Sequence, residues 1–247
     1  MKLLAIDIGN TNINLGVFKA NRLLSRQAIP TRAKDYFPYL KRIIRRQAID
    51  DAIISSVVPA ATLRITRDLK RLLSAHPYII GKEIRVPLKN LYRRPGQVGR
   101  DRLVNAYAGS RLYGRPLIVV DCGTAVTFDL ISARQEYLGG MILPGLRISL
   151  EALAEKTALL PKVSLKSPAG FIGRDTAGSM RNGIIFGFAA LIDGLSAKLK
   201  RKIGGSARVI GTGGDIALIA GHCQNLDKID RDLTLKGLNM LYRDFKA

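Results

Sequence analysis

Acidic residues, cysteine and histidine are all scarce in this chain of 247 residues. There are 2 cysteines and 2 histidines, and the wide separation of Cys122 and Cys223 indicates neither a disulfide framework nor a zinc site. The apolar run before Asp7 is too short for a signal-peptide core, and no later apolar segment reaches a membrane-spanning length. We therefore expect a cytoplasmic protein with no membrane partner.

The shortage of acidic residues leaves a formal net charge of +21, with 40 Lys and Arg against 19 Asp and Glu. Residues 1–115 contain 23 basic and 7 acidic residues, whereas residues 116–247 contain 17 and 12. Part of the excess lies on a predicted amphipathic helix over residues 39–46. A solvated helix face is the favoured interpretation. Nucleic-acid binding is the alternative, although no aromatic interleaving or nucleic-acid motif accompanies the charge.

Two β-hairpins with similar turns are predicted. In the first, strands over residues 3–8 and 12–18 flank the turn Gly9-Asn10-Thr11, next to Asp7. In the second, an apolar strand runs into Asp121-Cys122-Gly123-Thr124, and an alternating strand follows. This repetition indicates that one half of the chain is a duplicate of the other.

Helical patterns alternate with apolar strands throughout the chain. Further along the chain, an apolar run at residues 52–58 ends at Pro59, and helices are predicted at 60–74, 101–112, 147–159 and 183–202. The alternation predicts α/β layers in which helices cover the sheets. We place the boundary at Gly114-Arg115-Pro116, which gives two halves, residues 1–115 and residues 116–247.

The first turn has the chemistry of a phosphate site. Backbone amides and the Thr11 hydroxyl can approach phosphate oxygens, and the Asp7 carboxylate can hold a hydrated magnesium ion. The alternative is a plain hairpin closed by an Asx turn. Because Asp121 and Thr124 repeat the pattern, we expect paired turns that face each other across a nucleotide cleft.

A glycine-rich segment, Gly211-Thr212-Gly213-Gly214-Asp215, follows an apolar pair and precedes a predicted helix. Its glycines would let a base or ribose lie against the backbone. A tight strand-to-helix turn explains the segment equally well. The chain has neither a Gly-Lys-Ser/Thr phosphate loop nor the spaced glycines of dinucleotide binders.

A carboxylate lies between two guanidinium groups in Gly99-Arg100-Asp101-Arg102, where a helix is predicted to begin. Asp101 either caps that helix or accepts a proton from an attacking hydroxyl, with Arg102 holding an acidic substrate. Adjacent cations and the helix N-terminus are expected to lower the pKa of Asp101. Positioning of the hydroxyl would then be its larger role.

Taken in order, these segments resemble the type III pantothenate kinase family over nearly the whole chain. The matching stretches are residues 7–12 with Gly16, 55–59, 99–102 with Asn105, 121–129, 139–145, 159–161, 172–176 with Gly183 and Gly187, and 211–214. The resemblance implies the fold of actin-like ATPases and sugar kinases, an α/β architecture of two related ribonuclease H-like halves with a nucleotide cleft between them. It also implies ATP-dependent phosphorylation of pantothenate to 4'-phosphopantothenate, the first step of coenzyme A synthesis.

The resemblance also assigns roles to particular residues. Asp101 becomes the proton acceptor, and Asp121 would ligate a monovalent cation, K⁺ or NH₄⁺, used beside Mg²⁺. Contacts to ATP are implied for Asp7, Ile8, Gly9, Asn10, Thr11, Asn12, Ile13, Asn14 and Thr124. Contacts to pantothenate are implied for Tyr92, Gly99, Arg100, Asp101, Arg102 and Thr176. Members of the family pair as homodimers.

Two other functions remain open at this point. One is a kinase of the same fold that acts on another small hydroxyl compound, and the other is a regulatory protein whose basic half binds nucleic acid. Arg100 also departs from the family, which usually has a small residue there, so local charge at the substrate site would differ.

Overall fold

The computed structural model describes residues 1–73 and 75–247, which form two compact units. Unit 1 comprises Met1–Leu88, Tyr92–Ala108 and Leu233–Ala247, and unit 2 comprises Lys89–Leu91 and Gly109–Asp232. The C-terminal segment therefore belongs to the unit that contains the N-terminus. The division into ribonuclease H-like halves at residues 115 and 116 stays a prediction.

The strands include both predicted hairpins. Numbered in chain order, they are β1 (Lys2–Ile8), β2 (Asn12–Lys19), β3 (Arg22–Pro30), β4 (Asp51–Ser56), β5 (Tyr78–Ile79), β6 (Lys89–Asn90), β7 (Leu117–Cys122), β8 (Ala125–Ile131), β9 (Glu136–Pro144), β10 (Arg208–Thr212) and β11 (Lys228–Ile229). Unit 1 contains a five-stranded sheet of order β3-β2-β1-β4-β5, and unit 2 a six-stranded sheet of order β11-β10-β7-β8-β9-β6.

Every predicted helix is present with shifted ends. The helices are α1 (Phe37–Gln47), α2 (Pro59–Leu73), α3 (Arg100–Tyr113), α4 (Leu146–Lys156), α5 (Thr176–Ile203), α6 (Ile216–Ile219) and α7 (Leu233–Lys246). The predicted last residue of α2, Ser74, lies outside the described residues. Helix α5 begins well before the predicted residue 183 because Asp175 caps it, accepting a hydrogen bond from the Gly178 N–H at 2.6 Å.

Both faces of the unit 1 sheet are covered. On one face, α1 and α2 bury Leu40, Ile43, Ile65 and Leu69 against alternate residues of β1 and β2. On the other face, α3 and α7 bury residues such as Tyr107 and Leu238 against the remaining strand positions. The period-2 alternation of β1 and β2 thus supplies both cores.

In unit 2, helices α4, α5 and α6 bury apolar side chains against β7, β8 and β10. We expect no apolar segment of membrane-spanning length, and this is wrong for α5. That helix is long and apolar enough to cross a membrane, judged by its length and composition alone. The apolar run extends further than expected because small and apolar residues continue through the first turns of α5. Its Ile185, Ile192 and Leu199 are packed in the unit 2 core, and core helices meet the same two criteria.

Candidate active site

The first predicted turn joins β1 to β2 in unit 1. Asp7 lies opposite Asn14 in the antiparallel pair and beside Ser55 of the parallel strand β4. The Gly9 N–H donates to the Asn12 carbonyl at 3.0 Å, which closes the turn. Asn10, Thr11 and Asn12 are exposed, whereas Ile8 and Ile13 are buried. Three polar residues of the predicted ATP set are therefore exposed, Asp7 and Asn14 are half-buried, and the apolar residues anchor the hairpin.

A second segment fixes this turn from outside the hairpin. The Thr31 hydroxyl donates to the Gly9 carbonyl at 2.7 Å, and the Thr31 N–H donates to the Thr11 carbonyl at 3.0 Å. Thr31 itself is buried. These bonds hold the turn in one shape, as a site that binds by preorganised backbone groups requires.

Asp101 lies in the first turn of α3, also in unit 1. Its Oδ1 accepts a hydrogen bond from the Arg102 N–H at 2.9 Å. Burial raises the pKa of the Asp101 carboxyl, and the hydrogen bond and positive charge of Arg102 offset only part of that rise. The expected lowering of this pKa is therefore wrong, because desolvation of the carboxylate outweighs the cations next to it.

The two arginines beside Asp101 have different environments. Arg102 is buried, with 7% of its surface exposed. Arg100 is partly buried and passes Gly81, where the positive φ of +87° suits glycine and a Cβ would lie 2.5 Å from the Arg100 Nε. Gly81 therefore makes room for the Arg100 side chain.

In unit 2, Asp121 lies in β7 and is partly buried, and Thr124 is exposed in the turn to β8. Gly213 of the glycine-rich segment has a φ of +94°, and a Cβ there would lie 2.5 Å from both Asp121 Oδ1 and the Cys122 carbonyl oxygen. A carboxylate oxygen and a carbonyl oxygen thus border the space that this glycine leaves. The glycine-rich segment therefore packs directly against Asp121, a contact that its sequence does not predict.

A second glycine closes the same turn. The Gly145 N–H donates to the Thr124 carbonyl at 3.1 Å, and a Cβ at Gly145 would collide with the carbonyl oxygens of Gly123 and Thr124. This close approach explains why a glycine stands at residue 145, directly before α4.

Arg147 is a partner that sequence reasoning missed. Its Nη2 donates to Asp215 Oδ1 at 2.7 Å, and its Nε lies 3.1 Å from both carboxylate oxygens. Asp215 is 7% exposed, and its backbone N–H donates to the Cys122 carbonyl at 3.0 Å. The pair ties the glycine-rich segment to α4, and no local pattern marks two residues so far apart in sequence as partners.

The remaining predicted substrate residues are described separately within their units. Tyr92 is partly buried in unit 1, ahead of the short 3₁₀ turn Pro95–Gln97. Thr176 is exposed in unit 2 as the first residue of α5. Within residues 1–73 and 75–247, no three His, Cys, Asp or Glu side chains cluster as a metal site.

The two α/β units, each with a hairpin turn next to an aspartate, have the fold of actin-like ATPases and sugar kinases. Among solved structures, a Campylobacter jejuni protein described as a Baf family transcriptional activator matches with a TM-score of 0.62 and 20% identity, over 98% of both chains. Component A of (R)-2-hydroxyglutaryl-CoA dehydratase from Acidaminococcus fermentans matches with a TM-score of 0.57 and 12% identity, over 100% of both chains. At these identities the likeness concerns the fold alone.

The chain belongs to the type III pantothenate kinase family, whose profile matches residues 3–198. The type III pantothenate kinase of Moorella thermoacetica is 39% identical over 249 residues, covering 97% of this chain and 98% of the relative. The corresponding protein of Geotalea uraniireducens is 40% identical over 250 residues, covering 98% of both. The sequence resemblance is thereby confirmed.

Proposed function

We propose that this chain transfers the γ-phosphoryl group of ATP to the primary hydroxyl of pantothenate, the reaction that begins coenzyme A synthesis. The family match over residues 3–198 carries the proposal. It is supported by the presence of aspartate at residues 7, 101 and 121, because a carboxylate can bind a cation or accept a proton.

Asp101 orients the pantothenate hydroxyl and accepts its proton. Its raised pKa makes the carboxylate a stronger base than an ordinary aspartate, which suits an acceptor that works near neutral pH. The 2.9 Å bond from the Arg102 N–H fixes one oxygen and leaves the other to meet the substrate. The loose transition state of phosphoryl transfer depends heavily on such positioning.

The β1–β2 turn binds the ATP phosphates through its exposed side chains at residues 10–12 and its backbone. Asp7 is the residue that would hold Mg²⁺ through water or directly. When bound, Mg²⁺ neutralises charge on the phosphates of ATP. One carboxylate is sufficient for this role, since Mg²⁺ takes most of its other ligands from phosphate and water.

In unit 2, Thr124 contacts ATP, and Asp121 is the residue that would ligate K⁺ or NH₄⁺. Support comes from the oxygen atoms around Gly213, where Asp121 Oδ1 and the Cys122 carbonyl oxygen are adjacent. Carboxylate and carbonyl oxygens are suitable ligands for potassium.

Pantothenate carries a carboxylate, for which guanidinium groups are the usual partners. We assign its contacts to Tyr92, to the segment from Gly99 to Arg102, and to Thr176. Arg100 is the more accessible of the two arginines, because Arg102 is 7% exposed. Arg100 therefore places a positive charge beside the proton acceptor.

We also propose a cytoplasmic homodimer. Unit 2 exposes several large apolar side chains, a feature typical of association surfaces. They include Ile142 at 64%, Leu159 at 92%, Phe171 at 74% and Ile172 at 79%.

The test is ADP release by the purified protein with ATP, Mg²⁺ and pantothenate, measured in K⁺ and again in Na⁺. We expect turnover with pantothenate that falls when Na⁺ replaces K⁺. A panel of other small hydroxyl compounds is assayed in parallel. Turnover with one of them and none with pantothenate would refute the substrate, while equal rates in K⁺ and Na⁺ would refute the cation role of Asp121.

A further inference from the structure

The outer surface of α1 and α2 carries a dense array of positive charge, which we call the basic face. It consists of Lys41, Arg42, Arg45, Arg46, Arg67, Lys70 and Arg71. The two helices contain one acidic residue, Asp68, which is 3% exposed and lies 3.5 Å from Arg67. The face is continuous across both helices, because Lys41 of α1 and Arg71 of α2 lie over the same Phe37 ring, at 5.9 and 5.0 Å.

A groove extends the basic face toward the edge strand β3. Its volume is about 390 Å³, and it is lined by Gln27 of β3 and by Arg42, Ile43, Arg46 and Gln47 of α1. Ile43 is buried, so the groove presents two guanidinium groups and two amides above an apolar floor. This lining suits an anionic, hydrogen-bonding ligand.

Fold stability explains only part of this charge. Arg45, Arg46, Lys70 and Arg71 lie in the last turns of their helices, where cations interact favourably with the helix dipole. Arg42 and Arg67 lie before the last turn of their helices, where this interaction is weaker. Among the described residues, Arg42, Arg45, Arg46 and Lys70 have neither an ion-pair partner nor an aromatic ring contact, and Lys41 and Arg71 contact only the Phe37 ring. None of the residues assigned to ATP or pantothenate lies on these two helices.

We propose that the basic face binds the phosphate backbone of a nucleic-acid duplex. Five of its seven side chains are arginine, whose planar fork matches phosphate oxygens better than lysine does. The charges also stand on two packed helices, which fix their spacing. An anionic membrane surface would call for apolar side chains that enter the bilayer, but α1 and α2 expose only Tyr39 and Leu63 among their large apolar residues.

The proposal predicts binding that is sensitive to salt and insensitive to sequence. Contacts to phosphate release counterions, so the slope of log K against log salt concentration is about −0.9 per phosphate contacted. Losing four contacts should therefore make the slope shallower by about 3.6. The kinase reaction is independent of this binding and should not change.

The experiment compares the wild type with R42Q/R45Q/R46Q/K70Q. The matched control is K166Q/K198Q/R201Q/K202Q, which removes four exposed charges from unit 2. Binding to labelled DNA and RNA duplexes of about 30 base pairs and unrelated sequences is followed by fluorescence anisotropy. The KCl concentration is varied from about 50 to 200 mM, the range over which affinity due to phosphate contacts falls steeply. Pantothenate turnover and thermal unfolding of each variant establish that it is folded.

We expect the basic-face variant to lose at least about tenfold in affinity at 100 mM salt and the control to lose about twofold or less. A double variant, R42Q/R46Q, should show about half the change in slope. The two duplexes decide between DNA and RNA. Absence of wild-type binding at 50 mM salt, or equal losses in the basic-face variant and the control, would overturn the proposal. Tighter binding to phosphatidylserine vesicles than to either duplex would also overturn it and would favour a membrane surface.

Discussion

Replacing Asp101 with Asn separates the proposed catalytic role of this residue from its role in the fold. The change keeps the shape of the side chain and its acceptor oxygen, so the 2.9 Å bond from the Arg102 N–H can persist. It removes the negative charge and the capacity to accept a proton. We therefore expect Asp101→Asn to fold normally and to lose turnover.

The size of the loss follows from the role assigned. A positioned general base contributes about 10²- to 10⁴-fold to rate, so the activation free energy should rise by about 3–5 kcal/mol. The stability of the folded chain, in contrast to its turnover, should be unchanged or increased. Burial raises the pKa of Asp101 in the folded chain, so its contribution to stability is present at low pH and is lost as pH rises through that pKa. At pH 7.5 the amide avoids this penalty, and Asp101→Asn should unfold at the same or a higher temperature than the wild type.

The assay couples ADP release to a spectroscopic signal and is run across pH for both proteins. In the wild type, the acidic limb of kcat/KM should lie above the range of an ordinary aspartate, and the variant should lack it. The matched control is Asp35→Asn, because Asp35 also accepts a backbone N–H at a helix start, that of Phe37 at 3.0 Å. This control should retain full turnover.

Two results would refute the reasoning. Turnover of Asp101→Asn within about fivefold of the wild type would remove the residue from proton transfer. A fall of several degrees in its unfolding temperature, with no such fall in Asp35→Asn, would show that the Asp101 charge stabilises the fold and that burial does not dominate its pKa.

Two further predictions concern unit 2. Gly213→Ala should lower the free energy of unfolding by about 2–4 kcal/mol, because it combines a positive φ with a collision against Asp121 and a backbone carbonyl. The measurement is urea unfolding, and the control is Gly214→Ala, which has open space around it. Equal effects of the two changes would contradict the close contact assigned to Gly213. Arg147→Ala should cost about 1–2 kcal/mol, because it removes the guanidinium partner of the buried Asp215 carboxylate, while the 56% exposure of the Arg147 side chain lets solvent screen the pair. A loss below about 0.5 kcal/mol in the same unfolding assay would show that Asp215 does not need the pair.

The hairpins could be predicted from sequence because their signals are local. Alternation of apolar residues and small turn residues fixes β1, β2, β7 and β8, and each position depends only on its near neighbours. The apolar period of Leu235, Leu238 and Leu241 identifies α7 by the same rule. The assignment of α7 to unit 1 could not follow from any local pattern.

The features that could not be predicted depend on contacts between distant residues. Arg147 and Asp215 are 68 residues apart, and the pair forms only when β10 and α4 are in place. Gly213 reads as a turn glycine until the position of Asp121 is known. The expected lowering of the Asp101 pKa is wrong for the same reason, because the neighbouring arginines are visible in the sequence and the burial of the carboxyl is not.

The raised pKa of Asp101 also bears on whether this residue caps α3 or accepts a proton. A carboxylate that served only to cap α3 would be most stabilising when it is ionised and solvated, since the N-terminus of a helix favours negative charge. Instead, burial raises the Asp101 pKa and so weakens the interaction that a cap would provide. An exposed serine or threonine could cap the helix without that penalty. The raised pKa suits the proposed role in proton transfer, because a base gains reactivity from the same desolvation that costs the fold stability.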